Sequence, residues 1–117
     1  GGPAVAAVPI IGAAVALSFE KEKTVSGFFV RSDKKEHGTQ KQIEGNFDPD
    51  LPVIALDDTV STGGSLFQAI DVIENMNGKI KLVLCVLDRK MGGSETIKQK
   101  GYKFQSIFEI NSAGELV

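Results

Sequence analysis

Two adjacent acids, Asp57 and Asp58, stand directly before a run rich in hydroxyls and glycine, Thr59-Val60-Ser61-Thr62-Gly63-Gly64-Ser65. The run carries backbone N–H groups, the hydroxyls of Ser61, Thr62 and Ser65, and two glycines that let a ligand approach the main chain. A loop of this composition that feeds a helix N-terminus is an anion site, most naturally for a phosphate. Acids beside a phosphate cradle make sense for a ligand with two different ends. A sugar phosphate is such a ligand: its phosphate sits in the loop and its vicinal hydroxyls donate to the carboxylates. The plainer alternative is a strand–turn–helix whose helix is capped by Ser65. A cap accounts for one hydroxyl, but not for paired acids and two glycines as well.

The elements around this run must position it. Val53 to Leu56 is a short apolar stretch with β-branched members, suited to a strand covered on both faces. The acids fall where that strand is expected to end, and in open α/β sheets ligands bind beyond the carboxyl ends of strands. Ser65 to Asn77 follows as a helix with Leu66, Ile70 and Ile73 as its buried stripe, Phe67 and Met76 flanking, and Gly78 as the residue after its cap. Ile80 to Leu87 reads as a central strand ending in Asp88-Arg89. Gly92-Gly93 precedes a short helix capped by Ser94 and closed by Gly101, and Lys103 to Phe108 is a last strand.

Upstream, Gly1 to Ala7 is a small-residue loop. Pro9 to about Glu20 is a helix with Ile10, Ala13, Ala14 and Leu17 on one face, expected to pack tightly on a sheet. Ser26 to Val30 is a strand with Phe28, Phe29 and Val30 buried. The stretch 31–41 then holds four cations and the single histidine, His37, without apolar periodicity. Two readings stand open for it: a solvated surface hairpin, or a lid that brings cations to a polyanion. The alternation of helices and strands predicts an α/β fold, a mostly parallel sheet flanked by helices with right-handed crossovers.

The bulk numbers bound the rest. A chain of 117 residues is one domain, spanning 1–117. A net charge of −2 argues against general affinity for nucleic acid. Cys85 lies in an apolar run and reads as a buried strand residue, and no cysteine–histidine cluster suggests zinc. Ala4 to Leu17 is apolar but too short to span a bilayer and lacks a basic leader, so a cytoplasmic setting is expected.

The run 53–65 resembles the phosphoribosyl-pyrophosphate (PRPP) signature of type I phosphoribosyltransferases, which have a Rossmann-like core. Three further stretches narrow the likeness. Phe28-Phe29-Val30-Arg31-Ser32-Asp33-Lys34-Lys35-Glu36-His37-Gly38, with Ile43-Glu44-Gly45 behind it, resembles the catalytic lid of orotate phosphoribosyltransferases, here 31–45. Leu87-Asp88-Arg89 with Gly92-Gly93 resembles their base-recognition strand end, and Gly1 to Ile10 their pyrophosphate loop. The four segments occur in family order.

The resemblance implies transfer of the phosphoribosyl group of PRPP to orotate, giving orotidine 5′-monophosphate and pyrophosphate in pyrimidine biosynthesis. Lys35, Asp57 and Asp58 are the implied catalytic residues. Arg31, Lys35, His37, the two acids and Thr59, Val60, Ser61, Thr62, Gly63, Gly64 and Ser65 are the implied PRPP contacts. Ser61 and Arg89 are the implied orotate contacts. Mg²⁺ is implied on the PRPP, with no direct protein ligand, and the lid is expected to be shared across a homodimer. Where members of the family carry a second lid lysine, a lysine and a glycine in the pyrophosphate loop, and an acid, this chain has Ser32, Ala6, Ala7 and Met91. The family's N-terminal hood segment has no counterpart here, so an N-terminally truncated form is expected, with a sheet short of a central strand and a core open on one side. Two alternatives are a PRPP-binding regulator and a catalytically inactive homologue of the same fold.

Overall fold

The computed structural model describes residues 1–33 and 42–117. Element order is β1 (Gly2–Pro3), α1 (Ala7–Glu20), β2 (Phe28–Val30), β3 (Ile43–Gly45), β4 (Pro52–Val60), α2 (Gly64–Asn75), β5 (Lys79–Asp88), α3 (Gly93–Gln99) and β6 (Phe104–Glu109). The strands form two three-stranded sheets, β1-β2-β3 and β4-β5-β6. The second is wholly parallel, with Asp57 opposite Cys85 and Val60 opposite Asp88. In the first, β1 runs parallel to β2 while β3 is antiparallel to it. The expected α/β fold of mostly parallel strands flanked by helices is therefore present, with the two ladders joined through Gly1.

Main-chain hydrogen bonds through Gly1 join the two sheets. The Gly1 nitrogen donates to the Ile54 carbonyl at 2.9 Å, and the Leu56 N–H donates to the Gly1 carbonyl at 2.8 Å. Ala55 joins Val60, Leu66, Ile70, Val83, Cys85 and Ile97 in one buried cluster. A second cluster holds Phe28, Val30, Ile43, Val53, Ala69 and Ile73. Helix α2 serves both: Leu66 and Ile70 enter the first cluster, and Ala69 and Ile73 the second. It thus staples one sheet to the other across the Gly1 junction. Cys85 is free and buried in a strand, as expected. Among the described residues no helix is long and apolar enough to cross a membrane.

Several expected boundaries move for identifiable reasons. Strand β4 does not stop at Leu56 but runs through both acids to Val60, because β5 continues the ladder beside it. Helix α1 starts at Ala7, with Pro9 in its first turn, where a missing N–H costs nothing. Its buried residues are Ala7 and Ile11, while Leu17 and Phe19 are exposed. The tight packing expected of Ile10, Ala13, Ala14 and Leu17 is not found: Ile10 is half-buried and the other three are exposed. An apolar cleft of about 480 Å³ results, lined by Ile11, Ala14 and Val15 of α1 and by Ile54, Leu56 and Phe28 of the strands, among others.

Helix α2 ends as a Schellman motif. Asn77, at φ 67°, donates to the Glu74 carbonyl, and the Gly78 N–H donates to that of Ile73. The left-handed residue after the cap is thus Asn77, one position before the expected Gly78. Met76 is exposed, and Ala69 is the fourth buried member of the stripe.

Candidate functional site

The phosphate-loop residues are drawn together at the N-terminus of α2. Asp57, Thr59, Ser61, Thr62, Gly63, Gly64 and Ser65 line a cavity of about 220 Å³. Leu66 closes its floor and is itself part of the core. Asp58 and Val60 do not line it. Val60 is core, and its carbonyl accepts the Arg89 N–H at 2.9 Å.

The turn into α2 depends on Gly63, which sits at φ 92°, in the left-handed region. A Cβ there would come within 2.8 Å of the Phe67 ring. Gly64 is different: a Cβ at that position meets nothing within 4 Å. The helix N-cap is Gly63, and no side chain caps the first turn. Ser65 is therefore not the cap that the plainer sequence reading required. The first turn also carries no acid. An uncapped, acid-free first turn leaves its N–H groups and the positive end of the helix dipole available to an anion in the cavity.

The two acids differ in setting. Asp57 is 7 % exposed, whereas Asp58 is half-buried. Each carboxylate accepts the next backbone N–H: Asp57 Oδ1 from Asp58 at 2.8 Å, and Asp58 Oδ1 from Thr59 at 2.7 Å. Burial pushes the Asp57 carboxyl up to about 6, and the neighbouring Asp58 charge acts in the same direction. The hydrogen bond from the Asp58 N–H opposes them without prevailing.

A second cavity of about 250 Å³ adjoins the first, with Ser65 in the lining of both. Pro3 and Ala4 of the N-terminal loop, Arg31, Ser32 and Gln42 from the two ends of the 31–45 segment, and Gln68 of α2 line it. The Arg31 guanidinium is 3.4 Å from the Glu44 carboxylate, and the Arg31 N–H donates to the Gln42 carbonyl at 2.7 Å. Lys35 and His37 lie outside the described residues.

Arg89 is exposed at the carboxyl end of β5. Two main-chain bonds tie its loop to the phosphate loop, Arg89 N–H to the Val60 carbonyl and Gly93 N–H to the Ser61 carbonyl at 3.0 Å. A Cβ on Gly93 would lie 2.7 Å from that Ser61 carbonyl, so only glycine allows the contact. Sequence reasoning gave Gly93 no such role, although its place beside Gly92 after a strand end was the available signal. Ser94, expected as a cap, is buried instead, and its Oγ has no partner among the described residues.

Sequence reasoning also passed over Lys90, which sits at φ 58°. Its N–H donates to Asp88 Oδ1 at 2.8 Å. Its Nζ lies 3.1 Å from Glu109 Oε2 and 3.8 Å from Asp88 Oδ2. A left-handed residue with a Cβ costs about 1–2 kcal/mol. A hydrogen bond to a buried carboxylate returns roughly 1.5–3 kcal/mol, and the ion pair at the rim is screened by solvent. The Asp88 bond is the larger contribution, since that carboxylate is 1 % exposed.

The chain is similar to known proteins over nearly its whole length. It is 32 % identical over 114 residues to the orotate phosphoribosyltransferase of Rhodopirellula baltica, covering 97 % of this chain and 59 % of that protein. It is 39 % identical over 110 residues to that of Methanosphaera stadtmanae, covering 94 % and 59 %. Among solved structures it matches an orotate phosphoribosyltransferase of Mycobacterium tuberculosis in complex with inorganic phosphate. The TM-score is 0.78 at 25 % identity, over 92 % of this chain and 58 % of that one. The fold is that of the type I phosphoribosyltransferases. The chain spans about 59 % of the length of these curated relatives. No family model matches it.

Proposed function

We propose that this chain, similar in sequence and fold to the orotate phosphoribosyltransferases, moves the phosphoribosyl group of PRPP to orotate and releases pyrophosphate. One observation carries the reading. An uncapped helix N-terminus and a buried carboxylate share one small cavity, as a ligand with a phosphate end and a hydroxyl end requires. The adjoining cavity, between the N-terminal loop and Arg31, suits the pyrophosphate.

In this reading Thr59, Ser61, Thr62, Gly63, Gly64 and Ser65 hold the 5′-phosphate, with Val60 placing the loop from the core. Asp57 and Asp58 accept hydrogen bonds from the ribose hydroxyls and stabilise positive charge that develops on the ring. Lys35, with Arg31 and His37, stabilises the departing pyrophosphate, and Ser61 and Arg89 contact orotate. Among the described residues no group of three side chains could hold a metal ion. In this reading Mg²⁺ is carried on the substrate's own phosphates. When bound, the ion supplies charge neutralisation to the pyrophosphate. The reading further includes a homodimer sharing its lids, in the cytoplasm.

The test is depletion of orotate, followed by ultraviolet absorbance, with PRPP and Mg²⁺ supplied. Loss of orotate that requires PRPP is expected. Lys35→Ala should cut turnover far more than PRPP affinity, and Arg89→Ala should weaken orotate while sparing PRPP. PRPP binding with no orotate consumed would instead favour a regulator or an inactive relative.

A further inference from the structure

Three non-glycine residues among those described have positive φ: Glu22, Asn77 and Lys90. Two of them follow a helix cap. Asn77 closes α2, and Glu22 closes α1, where the Lys23 N–H donates to the Ser18 carbonyl and the Glu22 N–H to that of Phe19. Helix ends of this kind call for a left-handed residue. Lys90 has no such reason, because it follows a strand. Glycine would take the conformation freely, and Gly92 stands two residues on. Strain kept where a permissive residue would remove it clusters at functional sites.

The held residue lies next to Arg89, which is fixed on two sides. Its own N–H is tied to the Val60 carbonyl at the end of the phosphate strand. Beyond it the chain turns left-handed at Lys90, which bonds to Asp88 through its N–H and to Glu109 of β6 through its ammonium. Asp88 pairs in register with Val60 on one side and Glu109 on the other. The Lys90 contacts thus reference Arg89 to the two parallel neighbours of β5.

We propose that Lys90 is a positioning residue for the acceptor base: its bonds to Asp88 and Glu109 hold the left-handed turn that fixes Arg89 toward a planar, anionic heterocycle such as orotate. The proposal rests on the reading that Arg89 meets the base. Lys90 does not itself touch the ligand; it reduces the freedom that Arg89 would lose on binding.

Calorimetric titration of orotate and, separately, of PRPP tests this on the whole chain, alongside thermal melting. Lys90→Ala and Glu109→Gln leave the main-chain bond to Asp88 in place and should each weaken orotate about fourfold with PRPP unchanged, whereas Lys90→Arg should recover most of the loss. Lys90→Gly removes the strain and the ion pairs together. It should melt no lower than the parent yet still bind orotate more weakly, a split that a merely structural lysine would not give. Parent-like orotate binding by Lys90→Ala overturns the proposal and leaves the proposed function intact. Equal loss of both ligands with a lower melting temperature overturns it in favour of a structural role. A parent chain that binds PRPP but not orotate overturns the reading of the base site itself, and this role of Lys90 with it.

Discussion

Asp57 is ionised at a cost. Its carboxyl is raised from 3.8 to about 6, chiefly by burial. A folded-state value above the unfolded one means that the native state binds the proton more tightly. Below pH 4 both states are protonated and Asp57 costs nothing. Between pH 4 and 6 the cost grows, and above 6 it is complete. Asp57→Asn should therefore stabilise the fold by about 1–2 kcal/mol at pH 7 and by almost nothing at pH 4, measured by denaturant titration at the two pH values. Equal gains at both would show that charge is not the cause. The acid is retained in a place that penalises it, which suits a residue kept for a ligand. Sequence alone gave the pair but not their difference. Only the strand's continuation past Leu56 sets Asp57 on the buried side of β4 with Val53 and Ala55 and leaves Asp58 half-exposed.

The turn from β4 into α2 shows how two adjacent glycines can have unequal duties. Gly63→Ala places a Cβ at φ 92° and against the Phe67 ring, and should cost about 1–2 kcal/mol of stability. It should also weaken PRPP, since the first-turn N–H groups shift with it. Gly64→Ala meets no neighbour, opens the helix with a better helix former, and should gain up to about 1 kcal/mol. Melting curves for the two variants check both signs, and a loss at Gly64 as large as at Gly63 would contradict the geometry. The sequence made both glycines legible as a phosphate loop, because hydroxyls and glycines before an amphipathic helix form a local pattern. It could not rank them, since the rank depends on a ring four residues downstream. The role of Gly93 was hidden for a similar reason: its partner, the Ser61 carbonyl, is distant in sequence.

At the scale of the whole molecule, the strand and helix order was readable from periodicity, whereas the pairing of Gly2-Pro3 beside β2 was not. Nothing in Gly2-Pro3 marks it as a strand except its neighbours. The sheets also differ in length. The strands of β4-β5-β6 run 9, 10 and 6 residues, and those of β1-β2-β3 run 2, 3 and 3. The junction at Gly1 and the staple of α2 are what bind the shorter ladder to the longer. Ladders of such different length should open with unequal free energies. Native-state hydrogen exchange should find Phe29 and Val30 exchanging through a sub-global opening, while Leu84 and Cys85 exchange only with global unfolding. One shared opening free energy for all four amides would mean that the staple is as strong as the ladder. If the two differ, a phosphate held at the head of α2 acts as a rivet, and ligand binding should slow the early-opening half more than the half that carries the motif.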